Sequence, residues 1–135
     1  MIEIISGEKG KGKTKELLNK VNTSITSATG NIVYLDKSQK HMYELNNKIR
    51  LINVNDFLID NCDEFLGFIC GVISQDHDLD SFLTIASIDS DELLNHAIQK
   101  LDVISEKYNV KFILSVSKDE SKLTDIAKAK IVISL

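Results

Sequence analysis

A segment rich in glycine and lysine near the start of the chain constrains the fold more than any other feature. Residues 7–14 fit the pattern G-x-x-x-x-G-K-[ST] and read Gly7-Glu8-Lys9-Gly10-Lys11-Gly12-Lys13-Thr14. The apolar run 2–5 before the segment predicts a strand, and residues 15–21 after it have the spacing of a helix. A strand, a glycine-rich loop and a helix in this order predict a phosphate-binding loop, the Walker A motif.

The residue types of this loop suit the binding of a nucleoside triphosphate. Glycines let the backbone curl so that several N–H groups point at phosphate oxygens. Lys13 would reach the β- and γ-phosphates as the catalytic cation, and the Thr14 hydroxyl would hold Mg²⁺. The start of the following helix adds the positive end of its dipole, where Lys15 lies. The candidate nucleotide-binding set is therefore residues 7–15, and the alternative is a flexible turn rich in Gly and Lys.

Length and charge narrow the class of protein. A chain of 135 residues is expected to form one domain, so we take 1–135 as a single nucleotide-binding unit. The net charge of −4 argues against generic nucleic-acid binding. The sequence has no apolar run of about 20 residues and no signal-peptide pattern at its start. We therefore expect no membrane insertion and a cytoplasmic location.

The alternation of apolar runs and helical spacing predicts an α/β fold with a mostly parallel central sheet. Expected strands are 2–6, 31–35, 49–54, 81–86, 111–116 and 130–134, and expected helices are 13–27, 38–47, 55–75, 90–108 and 120–129. We expect the three-layer fold of P-loop NTPases with RecA-like strand order. In that order strand 111–116, which has a polar end, would lie between the loop strand and strand 81–86. Nucleotide would bind at the carboxyl ends of the strands.

The sequence offers two alternatives for a second acid beside Mg²⁺. The expected strand 81–86 ends in Ile85-Ala86-Ser87, without a carboxylate. Asp89 follows shortly, but with Glu92 it also fits a capping box at the start of the next helix. Asp36 closes strand two at the correct end, but it could instead cap the expected helix 38–47. Asp36 and Asp89 are therefore alternative magnesium ligands.

An acidic cluster at 76–80, Asp76-His77-Asp78-Leu79-Asp80, offers carboxylates and an imidazole to a divalent cation. It precedes a strand and so is expected at the amino edge of the sheet, away from the phosphates, where a solvated loop is the simpler interpretation. Cys62 and Cys70 are eight residues apart in one expected helix, about 12 Å along its axis, which is too far for a disulfide. We interpret both as buried or half-buried free thiols.

Few other residues suggest catalysis. Ser115 or Ser117, at the end of strand 111–116, could sense the γ-phosphate, although such serines are more often loop hydrogen-bonding groups. Arg50 is the only arginine, and it falls in an expected strand, as an edge or surface residue. Because neither a catalytic glutamate nor an arginine finger is evident, a second copy of the chain or another protein could complete the site.

The order of motifs along the chain resembles that of a family of small P-loop ATP-binding proteins from low-GC bacteria, often labelled twitching motility protein PilT. The segments that carry the resemblance are 7–14, Gly30-Asn-Ile-Val-Tyr-Leu-Asp36, Asp56-Phe, the run from Phe65 to Gly71, Gln75-Asp76 and Lys107-Tyr-Asn-Val-Lys-Phe-Ile-Leu-Ser-Val-Ser117. The resemblance implies a P-loop fold that binds ATP and Mg²⁺. Members of that family carry an Asp after the strand that matches 81–84, where this chain has Ile85.

Three functions follow as hypotheses. The first is an ATP-binding protein with weak or partner-dependent Mg²⁺-ATPase activity. The second is a non-catalytic nucleotide-binding switch or scaffold that lacks the second magnesium-binding carboxylate. The third is a small-molecule kinase, which the absence of an Arg-rich lid makes the weakest of the three.

Overall fold

A computed structural model describes residues 1–76, 79–86 and 91–135. Strands and helices alternate along these residues. The strands are β1 (Ile2–Ser6), β2 (Asn31–Asp36), β3 (Arg50–Asn53), β4 (Leu79–Ala86), β5 (Lys111–Val116) and β6 (Ile131–Ser134). The α-helices are α1 (Lys13–Ser24), α2 (Cys62–Gln75), α3 (Asp91–Tyr108) and α4 (Asp125–Lys128), and three short 3₁₀ helices span Met42–Glu44, Val54–Asp56 and Glu120–Lys122. The α/β class expected from the sequence is confirmed.

The described strands form one six-stranded sheet in the order β3-β2-β4-β5-β1-β6. Every neighbouring pair is parallel. Strand β5 lies between β1 and β4, which is the position expected for 111–116. Because all strands run the same way, their carboxyl ends share one edge of the sheet, and the loop 7–12 leaves β1 at that edge.

Two hydrophobic clusters lie on opposite faces of the sheet. On one face, α1 packs through Leu17 and Val21 against strand residues that include Ile5 and Ile113. On the other face, α2, α3 and α4 cover alternate residues of the same strands, such as Ile4 and Phe112. Residues of one strand alternate between the two clusters, since successive side chains of a strand point to opposite faces.

Two ion pairs made by Glu3 connect α1 and the neighbouring strands β1 and β5. Glu3 of β1 contacts Lys20 of α1 at 3.1 Å and also pairs with Lys111 of β5. Burial alone would raise the pKa of Glu3, but the hydrogen bonds from Lys111 and Lys20 outweigh it and lower the pKa. Glu3 is therefore a carboxylate at neutral pH, and it holds together the elements that flank the glycine-rich loop.

The helix expected at 38–47 is reduced to one 3₁₀ turn at Met42–Glu44. Asn22 of α1 explains the difference, because its side chain donates to the Glu44 carbonyl and accepts from the Asn46 amide, both at 2.8 Å. These bonds occupy backbone groups that a continuing helix would use.

The long helix expected at 55–75 begins only at Cys62. Asn61 caps it by accepting a hydrogen bond from the Glu64 amide at 2.9 Å, which is a typical helix start. Phe57 and Leu58 fall within the expected helix 55–75, but they precede the observed helix and are exposed.

The helix expected at 120–129 is interrupted at Leu123. This residue has an extended backbone and its side chain enters the core, so the segment splits into a 3₁₀ turn and the short α4.

Cys62 and Cys70 are both free thiols. Cys62 is half-buried, as expected, whereas Cys70 is exposed on the outer side of α2. Among the described residues, no helix combines the length and the apolar character needed to cross a membrane.

Candidate functional site

The loop between β1 and α1 has a backbone that only glycine adopts easily at two positions. Gly10 has φ +90° and Gly12 has φ +94°, both in the left-handed region. Gly12 is also the residue that caps α1, and it has no side chain to bond the first amides of the helix. The amino end of α1 and its partial positive charge therefore face the loop, which suits an anion.

Lys13 begins α1 and folds back over the loop. Its ammonium nitrogen donates a hydrogen bond to the Glu8 carbonyl oxygen at 3.0 Å. The residue is only 8% exposed, and burial lowers the pKa of its ammonium group. Among the described residues, the acceptor that faces this buried cation is a neutral carbonyl, which compensates the charge poorly, so a phosphate group near it would be strongly favoured.

The other residues predicted for the loop surround this lysine. Thr14 is half-buried in the first turn of α1, while Lys9, Lys11 and Lys15 are exposed. The loop as predicted from the sequence is thus one continuous element, with several cations around its glycine backbone.

Gly7 joins the loop to the sheet and lies close to Val116 and Leu135. Its amide donates to the Val116 carbonyl at 3.3 Å, and a Cβ atom placed on it would lie 3.0 Å from the Cβ of Leu135. The first glycine of the pattern is therefore required for packing, whereas Gly10 and Gly12 are required for conformation.

A cleft of about 710 Å³ opens beside the loop. One wall is Glu8, and the other is the segment that follows β5. The residues from that segment are Ser117, Lys118, Asp119 and Lys122. The Lys122 ammonium lies 3.6 Å from the Glu8 carboxylate, which connects the two walls. The cleft and the phosphate loop therefore share Glu8.

Asp119 fixes the backbone of the second wall. Its carboxylate accepts from the Ser121 amide at 2.9 Å and from the Ser121 hydroxyl at 2.6 Å, and so caps the 3₁₀ turn Glu120–Lys122. These bonds to Ser121, together with the nearby charges of Lys122 and Lys11, lower the pKa of Asp119. Asp119 is thus ionised and engaged, and it holds Lys122 facing Glu8.

Asp36 lies where the sequence predicts it, at the carboxyl end of β2. It is 6% exposed, and one carboxylate oxygen accepts from the Lys37 amide at 2.6 Å. The other oxygen has no hydrogen-bond partner among the described residues. Two strands, β4 and β5, separate β2 from β1, which places Asp36 about 14 Å across the sheet from the end of β1.

Tyr34 occupies the same face of β2 and is fully buried. Its hydroxyl likewise has no hydrogen-bond partner among the described residues. Burial, followed by the charges of Asp36 and Glu44, raises the pKa of Tyr34, so the phenol stays protonated. Buried polar groups without partners are uncommon, and they often mark sites of function or of a bound water.

Serines complete this edge of the sheet. Ser6, the last residue of β1, is fully buried, and its hydroxyl has no partner in the part of the chain that the structure describes. Ser115 is buried in β5, whereas Ser117 lines the cleft. Of the two serines considered as phosphate sensors, Ser117 is the one beside the loop.

Several other residues singled out in the sequence lie elsewhere. Asp89 falls outside the described residues, as do His77 and Asp78 of the acidic cluster. In the ranges that are described, no three His, Cys, Asp or Glu side chains group in a way that could hold a metal ion. Arg50 is exposed on the edge strand β3, as expected.

Sequence reasoning missed the second wall of the cleft. Lys118 and Lys122 are two of many lysines, and no spacing distinguishes them. A signal existed in Asp119 and Ser121, because an acid two residues before a serine is typical of a turn that the acid caps. The unpartnered atoms of Tyr34 and Ser6 carry no sequence signal at all.

No protein-family model matches the chain, and no curated protein matches it.

Proposed function

We propose that this protein binds ATP together with Mg²⁺ through the loop formed by residues 7–14. The observation that carries the proposal is the buried ammonium of Lys13, which folds over a loop whose Gly10 and Gly12 have left-handed backbones. Among the described residues, the Lys13 ammonium donates a hydrogen bond to the Glu8 carbonyl, and a phosphate oxygen would replace that carbonyl as the acceptor. The family resemblance of the sequence supports the same interpretation.

The fold proposed for this function is the three-layer P-loop NTPase fold with RecA-like strand order. Two features support it: helices pack on both faces of the parallel sheet, and β5 lies between the loop strand β1 and β4. Strand β3 then extends the sheet beyond β2 as an additional edge strand. In this arrangement the triphosphate lies at the carboxyl edge, over the start of α1.

Each loop residue then has a distinct role. The amide groups of residues 7–15 surround the phosphates, Lys13 neutralises the β- and γ-phosphates, and the Thr14 hydroxyl is a ligand for Mg²⁺. Mg²⁺ usually keeps several waters and takes one or two protein ligands beside substrate phosphates, so Thr14 fits this ion. When bound, the ion would neutralise charge on the β- and γ-oxygens.

The second acid remains a proposal with two alternatives. The separation of about 14 Å between the ends of β2 and β1 argues against direct coordination by Asp36 of an ion at the loop, and a contact of Asp36 through water would need the ion to lie toward β2. Asp89, which lies outside the described residues, follows β4 in the sequence, and β4 is two strand spacings from β1. Either residue would complete a site that turns ATP over slowly.

A second candidate function is a nucleotide-binding switch or scaffold without turnover. The observation that favours it is the sequence Ile85-Ala86-Ser87 at the end of β4, where a carboxylate would be expected to stand beside the ion. In this case ATP would act by changing assembly or partner binding, and a second copy of the chain or another protein would respond.

Two assays on the same preparations test and separate these functions. ATP binding, measured by equilibrium dialysis with labelled nucleotide, is expected for the wild type and for Lys128→Ala, a surface lysine on α4, and is expected to weaken at least tenfold in Lys13→Ala. Mg²⁺-dependent phosphate release that is lost in Lys13→Ala identifies the ATPase. Binding without phosphate release identifies the switch. Equal binding by all three proteins would show that ATP does not use this loop.

A further inference from the structure

An ion pair between Glu8 and Lys122 connects the two walls of the cleft beside the phosphate loop. Strands β1 and β5 pair so that Ser6 lies opposite Val116, and their continuations therefore leave the sheet side by side. Glu8 follows β1 by two residues, and the segment 117–122 follows β5 directly. Any group that extends from the phosphate loop toward β5 must enter this cleft.

The chemistry of the cleft favours an anion over a nucleobase. Among the described residues, its lining consists of two lysines, two acids and one serine, none of which offers an aromatic ring on which a base could stack. Asp119 is already engaged by Ser121, and Glu8 by Lys122. The lining thus offers cationic and hydroxyl donors to an incoming group.

Glu8 places a carboxylate in the proposed phosphate-binding loop, where its charge would repel the phosphates. Two lysines hold it at its two ends: Lys13 bonds its backbone carbonyl at 3.0 Å, and Lys122 contacts its carboxylate at 3.6 Å. The side chains of Lys122 and Glu8 are 68% and 55% exposed, so this ion pair is weak and easily exchanged. A phosphate group carries more charge than a carboxylate and would compete well for both ammonium groups.

We propose that Lys122 breaks its ion pair with Glu8 and binds the terminal phosphate of the triphosphate. The inference rests on the proposed function, since it assumes a nucleotide in the loop. Lys122 then supplies from the same chain a positive charge that other sites obtain from an arginine finger. Asp119 is a positioning residue, because its cap on the turn at 120–122 holds the Lys122 backbone at the wall of the cleft. The diphosphate lacks the terminal group and leaves the Glu8–Lys122 pair intact.

The experiment compares the affinities for ADP and for a β,γ-imido analogue of ATP by calorimetry in Mg²⁺. The proteins are wild type, Lys122→Gln, Glu8→Gln, the double variant and Lys128→Gln as a control. We expect Lys122→Gln to weaken binding of the triphosphate analogue about tenfold and to leave ADP binding within about twofold. Glu8→Gln should strengthen triphosphate binding, and Lys128→Gln should match the wild type.

The double variant distinguishes phosphate binding from simple neutralisation of Glu8. If Lys122 contacts the phosphate, the double variant binds the triphosphate with the same reduced preference over the diphosphate as Lys122→Gln does. If the double variant regains the wild-type preference, Lys122 only neutralises Glu8 and the inference is wrong. An unchanged preference in Lys122→Gln also overturns the inference while the proposed function stands. Failure of the wild type to bind either nucleotide removes the proposed function and the inference with it.

Discussion

The ammonium nitrogen of Lys13 and the carbonyl oxygen of Glu8 lie 3.0 Å apart, so the side chain that begins α1 closes over the loop before it. This contact keeps a buried cation in place without a phosphate. It also means that the lysine needs only a small movement to reach a phosphate in the loop. A site that is already formed avoids the cost of ordering the loop on binding.

The left-handed backbone at Gly12 gives a prediction for stability. Gly12→Ala should lower the free energy of unfolding by about 1–2 kcal/mol, because φ is +94° there and a Cβ is disfavoured even though no atom lies nearby. Gly71→Ala is a matched control on the exposed side of α2, where no atom lies within 4 Å and φ is not positive. It should raise the free energy of unfolding by about 0.5–1 kcal/mol. Urea unfolding of both variants provides the measurement, and equal effects would contradict this account of the loop.

The sequence could predict the loop because its chemistry is local. Gly7, Gly12, Lys13 and Thr14 follow one strand directly, and they are the four residues that the pattern fixes. The loss of the helix expected at 38–47 depends instead on a side chain elsewhere in the chain. Asn22, on α1, occupies the backbone of Glu44 and Asn46, and no local pattern indicates that contact.

The cleft could not be predicted for a related reason. Glu8 and Lys122 are far apart in sequence and meet only because β1 and β5 are neighbours in the sheet. Similarly, the sequence predicts Tyr34 as an ordinary aromatic residue of a strand. The structure shows that its hydroxyl is buried without a hydrogen-bond partner among the described residues. Contacts that depend on strand order are the part of the site that the sequence alone does not predict.

The buried ammonium predicts how ATP binding depends on pH. Burial lowers the pKa of Lys13 below its usual value of about 10.4, and bound phosphate would raise this pKa by favouring the charged form. ATP affinity should therefore be highest below the pKa of the free protein and should fall as pH rises through it, toward the pKa of the complex. Lys13→Arg keeps its charge throughout and should show no such alkaline fall. Titrations between pH 7 and 10 test this, and parallel pH profiles for the two proteins would assign the effect to another group.

Substitutions of the buried residues Asp36 and Tyr34 should have different effects on the stability of the fold and on ATP binding. Tyr34→Phe removes a buried hydroxyl that has no partner among the described residues, so it should leave the free energy of unfolding unchanged or raise it by about 1 kcal/mol. Asp36→Asn removes a buried charge and keeps an acceptor for the Lys37 amide, and it should also stabilise the fold by about 1 kcal/mol or more.

If Asp36 contacts the ion through water, Asp36→Asn should at the same time weaken the Mg²⁺ dependence of ATP binding, whereas Tyr34→Phe should not. Thermal unfolding and ATP titration on the same samples separate the two effects. A destabilised Asp36→Asn protein with unchanged Mg²⁺ dependence would show that the carboxylate is structural.

The central claim is that the loop 7–14 binds ATP by means of Lys13, and calorimetric titration of ATP into the wild type and Lys13→Ala, first in Mg²⁺ and then in EDTA, tests it most directly. The account predicts saturable binding by the wild type that is tighter in Mg²⁺, and a loss of about tenfold or more in Lys13→Ala with the fold intact by circular dichroism. Saturable ATP binding of equal strength in both proteins, or no binding by the wild type in either buffer, would contradict it.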